Sequence, residues 1–248
     1  PLAAGALLSI MKPIEVYTII GIFSSLAILP VIMLPSEKRK PGIRISWQEQ
    51  LSRAFKAGLG LPELWIAGGL ECVLYLGLYA VKAFLPLLAI SEGIPILWVG
   101  IFFSMQEFTH MILSPFSGRI GDRFGYLSTA ALGLIFASGA LSALPIVPDE
   151  TSMLGVSILF GMSQALILPS CVALFATRIN PSYTGTGTGI FGSIKNLGKV
   201  SGPILGGWLV HHHHMTWMLW TMSGLLAFFA IGIVTFALGR RLILRTSG

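Results

Sequence analysis

Seven tracts of this chain, residues 14–34, 64–90, 95–117, 126–147, 151–177, 185–210 and 215–239, are apolar over lengths close to the roughly 20 residues that a helix needs to cross a bilayer core. A backbone in hydrocarbon has no water to bond, so it must satisfy its own N–H and C=O groups, as a helix or as a closed barrel. The tracts lack the period-two alternation of barrel strands. The expected fold is therefore all-α, a polytopic membrane protein with the lipid bilayer as its partner. Composition agrees: 54% of the 248 residues are hydrophobic and 10% are charged, against about 25% charged in an average soluble domain. An ordinary water-soluble enzyme is excluded. Cys72 and Cys171 both lie inside apolar tracts and read as packing residues.

The basic residues sort by connection. Lys38, Arg39, Lys40, Arg44, Arg53 and Lys56 follow the first tract, Arg119 and Arg123 the third, Arg178 the fifth, and Arg240, Arg241 and Arg245 the last. The alternate connections carry Glu92, Asp149, Glu150 and the histidines 211–214, with Lys12 as their one basic residue. Positive residues favour the inner side of a membrane. The expectation is a multi-pass protein of the plasma (inner) membrane, with residues 35–62 and the carboxyl terminus cytoplasmic. Topology thus accounts for the net charge of +6, and no nucleic-acid partner is needed.

Residues 35–62 are the long polar connection, with Trp47, Leu51, Phe55 and Leu59 at helical spacing among its charges, as in a linker carrying a surface helix. On either side the chain repeats itself weakly. Pro1, Gly5 and Leu7 recur as Pro203, Gly207 and Leu209, residues 14–34 fall on 216–236, and Lys38-Arg39 on Arg240-Arg241. Parallel repeats of helical halves are a transporter construction. Three parts are expected: residues 1–34 as the end of one bundle, 35–62 as a cytoplasmic linker, and 63–248 as a six-helix bundle. The first half of the parent protein would then be missing and would be a partner of this one.

Gly118-Arg119-Ile120-Gly121-Asp122-Arg123-Phe124-Gly125 stands between the third and fourth tracts. It resembles the loop signature of the major facilitator superfamily, in which Gly, Asp-Arg and Gly recur after the second helix of each half; the basic pair that often closes the motif is replaced by Tyr126 and Leu127. The resemblance implies a gating loop containing Gly118, Asp122, Arg123 and Gly125, with Asp122 capping the next helix or pairing with a cation. The alternative is a topological anchor with no switching role. The sixth tract carries Gly198, Gly202, Pro203, Gly206 and Gly207, similar to a glycine-proline motif of drug and proton antiporters within that superfamily. Small residues four apart let helix backbones approach, and proline bends a helix.

Ionisable residues at membrane depth are costly, at least ~2.5–3.5 kcal/mol each at a helix centre, and are functional candidates for that reason. Glu71, Tyr75, Tyr79 and Lys82 recur on one face of the second tract, Glu107, His110 and Ser114 on one face of the third, and Lys195 and Lys199 are four apart on the sixth. Counting rise per residue puts Glu71, Glu107, His110 and Lys195 in one layer near the midplane. The resemblance places these helices around a central cavity, where carboxylates could carry protons and the lysines a negative substrate. Structural Glu–Lys pairs between helices are the alternative. Lys82 and Lys199 could instead snorkel to the outer surface. Gln164 and Pro169 in the fifth tract, with Ser170 beside the proline, suggest a bend with freed carbonyls that could face the cavity; an ordinary proline kink is the equal alternative.

The histidines 211–214 read as a solvated turn rather than a metal site, and no metal or cofactor is expected beyond a proton gradient as driving force. Neither His-Glu-x-x-His nor Gly-x-Ser-x-Gly occurs, which argues against an enzyme. The expected function is alternating-access transport of a small-molecule substrate, with proton-coupled efflux favoured. Proton-coupled uptake of a sugar or organic anion is the alternative, and a non-transporting membrane scaffold is the reading from another class.

Overall fold

In the computed structural model, residues 7, 11–33, 52, 60–147, 149–179 and 184–246 are described, with side chains for all but 13, 31, 33 and 236–246. They form helices joined by short turns: α1 (Pro13–Ser25), α2 (Ile28–Met33), α3 (Pro62–Ser91), α4 (Ile96–Phe124), α5 (Tyr126–Ala143), α6 (Glu150–Ala176), α7 (Thr184–His212) and α8 (Met215–Thr246). Helices α3, α4, α5, α6 and α8 are long and apolar enough to cross a membrane, and the chain is an integral multi-pass membrane protein. Helix α7 has the length as well, but its glycines, threonines and two lysines dilute its apolar character. The expected linker at 35–62 and the first members of the repeat, Pro1 and Gly5, lie outside the described residues, apart from Ser52 and residues 60–62.

Several boundaries depart from the sequence expectation, that of α8 among them, which runs to Thr246 rather than 239. The tract at 14–34 is two helices with a turn at Leu26-Ala27 between them. Pro30 has no N–H to give the Leu26 carbonyl and its ring crowds that group, which breaks the ladder at this point. Helix α4 does not stop at residue 117 but runs to Phe124, so most of the expected loop is helix. The break falls at Gly125, whose φ of +92° is one that a side chain would strain. Helix α5 ends at Ala143, short of residue 147.

The bundle is built from a few extensive seams. Helix α3 packs along α7, α6 lies between α4 and α5, and α8 closes against α5. Glycines set the closest approaches. A Cβ on Gly198 would run into the Cys72 carbonyl oxygen, and one on Gly202 into that of Leu76. Gly206 faces the Phe84 ring, and Gly207 touches the same ring only at ordinary contact distance. One glycine face of α7 therefore seats its backbone on α3, and the helix continues through Pro203. Buried Leu74, Leu78, Leu134, Leu141, Met218 and Leu226 fill the centre, while Leu197, Val200 and Ile204 on the outer face of α7 are exposed, the surface that lipid would cover.

Polar groups stitch the seams that apolar packing cannot order in lipid. Gln106 Nε2 of α4 donates to Gln164 Oε1 of α6 at 2.8 Å, with both residues buried. Ser138 of α5 and Ser223 of α8 exchange side-chain bonds, each hydroxyl reaching the other's carbonyl at 3.0 and 2.8 Å. Outside the spans, Asp149 caps α6, accepting from the Ser152 N–H at 3.2 Å and the Ser152 hydroxyl at 2.5 Å. Those two bonds, the hydroxyl's first, hold its carboxyl below the usual carboxylate range.

Candidate functional site

The charged residues of α3, α4 and α7 meet along one seam. Glu71 is buried on α3, its side chain 2% exposed, and its Oε2 stands 3.9 Å from Lys195 Nζ of α7. That separation is an ionic contact rather than a hydrogen bond, and Glu71 Oε2 has no hydrogen-bond partner among the described residues. Lys195 also lies 5.7 Å from the Phe191 ring centroid, and Phe191 stacks on Phe175 of α6 at 5.3 Å. Lys195, Phe191 and Phe175 line a cavity of about 450 Å³ together with Ile179, Thr184 and Thr188.

One turn along α7, Lys199 rests on two tyrosines of α3, 4.8 Å from the Tyr75 centroid and 5.8 Å from that of Tyr79. The rings meet edge to face at 5.9 Å. Further along α3, Lys82 Nζ donates to Glu107 Oε1 of α4 at 3.3 Å and lies 5.5 Å from the Tyr79 centroid. His110 Nδ1 is 3.7 Å from the other oxygen of Glu107. The order along the seam is thus Glu71–Lys195, then Tyr75–Lys199–Tyr79, then Lys82–Glu107–His110.

This corrects the single midplane layer expected from counting. Lys82 lies eleven residues beyond Glu71, about 16 Å at 1.5 Å per residue, and Glu107 is held at the Lys82 level. Neither Lys82 nor Lys199 snorkels free: the first pairs with a carboxylate and the second covers aromatic faces. Gln164 is not brought to the seam either. Its Oε1 is taken by Gln106, a residue that the charge-led reading passed over although a Gln beside Glu107 in an apolar tract was visible. One step along a helix turns about 100°, so Glu107 and Gln106 address different neighbours.

The glycine motif at the α4–α5 junction is also partly revised. Asp122 does not cap α5; it accepts a hydrogen bond from the Tyr126 hydroxyl at 2.6 Å. Tyr126, which occupies a position that is often basic in the motif, thereby ties the junction by other means. A Cβ on Gly121 would run into the Tyr126 ring, whereas Gly118 faces open space; the glycine required for packing is Gly121. Arg123 lies 5.5 Å from the Phe124 ring centroid. His211, His212, His213 and His214 are exposed at the end of α7, with His212 Nδ1 2.9 Å from the Trp208 carbonyl oxygen. Among the described residues, no group of three potential ligands is placed to hold a metal.

Comparison with known proteins adds the identity that this geometry invites. The quinolone resistance protein NorA of Staphylococcus aureus is 27% identical over 158 residues, which are 63% of this chain and 40% of that protein. The tetracenomycin C resistance and export protein of Streptomyces glaucescens is 28% identical over 96 residues, 39% of this chain and 18% of that protein. The chain therefore spans less than half the length of these relatives. The Major Facilitator Superfamily profile matches residues 68–245, from within α3 through nearly all of α8. A helical membrane bundle with glycine-seated α3 and α7, matched over that length, belongs to the Major Facilitator Superfamily.

Proposed function

We propose that the chain is the carboxyl-terminal bundle of a secondary transporter that exports a small molecule by alternating access, driven by proton entry. Efflux is favoured by what two relatives are named for, resistance in one and resistance with export in the other. The observation that carries proton coupling is the placement of Glu71 and Glu107 at membrane depth, each within 4 Å of a lysine. A carboxylate of this kind can exchange a lysine partner for a proton, so protonation and helix separation become linked. In this reading the seam faces a cavity completed by a first bundle, and the α4–α5 junction around Asp122, Arg123 and Gly125 is the gate. The role is that of a carrier, not an enzyme.

The test is flux in proteoliposomes containing the full-length protein, with an imposed pH gradient. Glu107→Gln and Glu71→Gln should each abolish proton-driven export while leaving exchange of substrate for substrate. Undiminished proton coupling in both variants would remove these residues as carriers.

A further inference from the structure

At the end of the bundle opposite the α4–α5 junction, another cavity of about 470 Å³ opens between the ends of α3 and α5 and the starts of α6 and α8. Its volume lies within the roughly 300–1,000 Å³ of pockets that take a drug-sized molecule. Leu85, Leu144, Met153 and Leu219 line it and are buried, so it reaches down to the packed core. The charged seam is elsewhere. None of the seam's charged residues lines this cavity, and Glu92 at its rim stands ten residues past Lys82, about 15 Å along the axis of α3.

The charge around the cavity is of one sign. Glu92, Asp149 and Glu150 line it, and among the described residues no basic side chain does. The three carboxylates are not equivalent. Asp149 is committed to Ser152 as the cap of α6, and Glu150 lies in the first turn of that helix, where an N-terminus favours an anion. Glu92 is placed the other way round. It is the C-cap of α3, where unpaired carbonyls already carry partial negative charge, and a cation complements both. Neither Glu92 nor Glu150 has an ion-pair partner among the described residues.

We propose that this cavity is an accessory site for a small amphipathic cation, its apolar body seated on Leu85, Leu144, Met153 and Leu219 and its ammonium group held by Glu92 and Glu150. The walls are aliphatic and thioether, with no aromatic ring among the described lining residues, which suits a compact saturated body. An anion of the same shape would meet repulsion, and a neutral analogue would keep only the apolar contact, so the site discriminates by sign. A ligand there touches α3, α5, α6 and α8 together, and binding to the folded bundle alone raises its stability. The inference goes beyond the transport reading and does not depend on it, because nothing in it requires the ligand to be carried.

The test uses three probes of one shape, adamantylammonium, adamantanol and adamantanecarboxylate. Their binding to the purified full-length protein in phosphatidylcholine nanodiscs is measured by equilibrium dialysis against empty nanodiscs, and thermal unfolding is followed with each. The wild type should bind the ammonium best and the carboxylate worst, and the ammonium should raise its melting temperature. Replacing Glu92 and Glu150 together by Gln should weaken ammonium binding about fivefold or more, as expected for losing two exposed charge contacts, with the alcohol unchanged within about twofold. Leu88→Trp, at a half-buried position in the wall, should fill the cavity and weaken the ammonium and the alcohol alike. No preference for the ammonium in the wild type, equal losses of ammonium and alcohol in the Glu92→Gln, Glu150→Gln variant, or unchanged binding in Leu88→Trp would overturn the proposal. So would a loss of ammonium binding in Glu107→Gln larger than in that double variant, which would put the cation in the seam. Displacement of the ammonium by phosphatidylethanolamine added to the nanodiscs would assign the site to a lipid headgroup and overturn it as well.

Discussion

Glu71 and Lys195 form an ion pair whose two members are unequally buried, the carboxylate side chain 2% exposed and the lysine 31%. Removing either partner therefore has a different cost. Lys195→Met leaves a buried carboxyl at membrane depth with no cation at ion-pair distance among the described residues, whereas Glu71→Gln leaves a lysine that can still reach the cavity beside Phe191. We expect Lys195→Met to destabilise the bundle by about 2–3 kcal/mol, below the full range for a buried pair because the lysine is partly exposed. Glu71→Gln should cost less than half as much, and the double variant should recover most of the loss. Thermal unfolding of the detergent-purified protein measures this; equal costs for the two single variants would contradict the asymmetry.

The glycines of α7 make a graded prediction. Gly198→Ala and Gly202→Ala place a methyl against main-chain carbonyls of α3, which cannot rotate away. Each should reach or exceed the ~3 kcal/mol end of overpacking penalties and reduce the yield of folded protein. Gly207→Ala meets only the edge of the Phe84 ring at 3.4 Å, and Gly118→Ala meets nothing within 4 Å. Both should unfold within a few degrees of the wild type. A motif read as four equivalent glycines would place all the α7 variants together, and the melting temperatures decide between the two.

These cases show what a sequence of this kind discloses. The long helices were legible because the bilayer removes every other way of satisfying a backbone, and the α7 glycine register because close approach needs small residues at fixed spacing. Which charge meets which was not. Spacing places Glu71 and Lys82 on one face of α3, but their partners depend on how far α4 and α7 are shifted along it and on the reach of a lysine. Counting rise from the ends of the apolar tracts put α4's end at residue 117 rather than at Phe124, which displaced Glu107 toward Glu71. The break at Leu26-Ala27 could have been read from Pro30, which cannot donate to the Leu26 carbonyl four residues earlier, so that carbonyl accepts from the Leu29 N–H instead, at 3.1 Å.

Gln106 and Gln164 give a test of polar stitching between α4 and α6. Gln106→Leu strands the buried Gln164 amide and should cost about 1–3 kcal/mol, the price of a buried polar group without a partner. Replacing both by Leu should cost far less than the sum of the single changes. Additive single and double variants, measured by the same unfolding assay, would mean that the 2.8 Å bond does not couple the helices.

Asp149 predicts a pH dependence that lies outside the membrane. Its carboxyl is held below the ordinary carboxylate range by the Ser152 hydroxyl and then by the Ser152 backbone N–H. A group with a depressed folded-state pKa contributes stability that is fully present above its unfolded pKa, near 3.9 for an aspartate, and is lost as pH falls through the lower folded value. At neutral pH, Asp149→Ala should lower the melting temperature, because the first turn of α6 loses its side-chain cap. The gap between variant and wild type should narrow as the medium is acidified below the aspartate range. Asp149→Asn, which keeps an oxygen acceptor without a titrating charge, should retain part of the cap at every pH and show no narrowing of its own. A gap between Asp149→Ala and wild type that stays constant into acid would assign the effect to helix propensity rather than to the carboxylate.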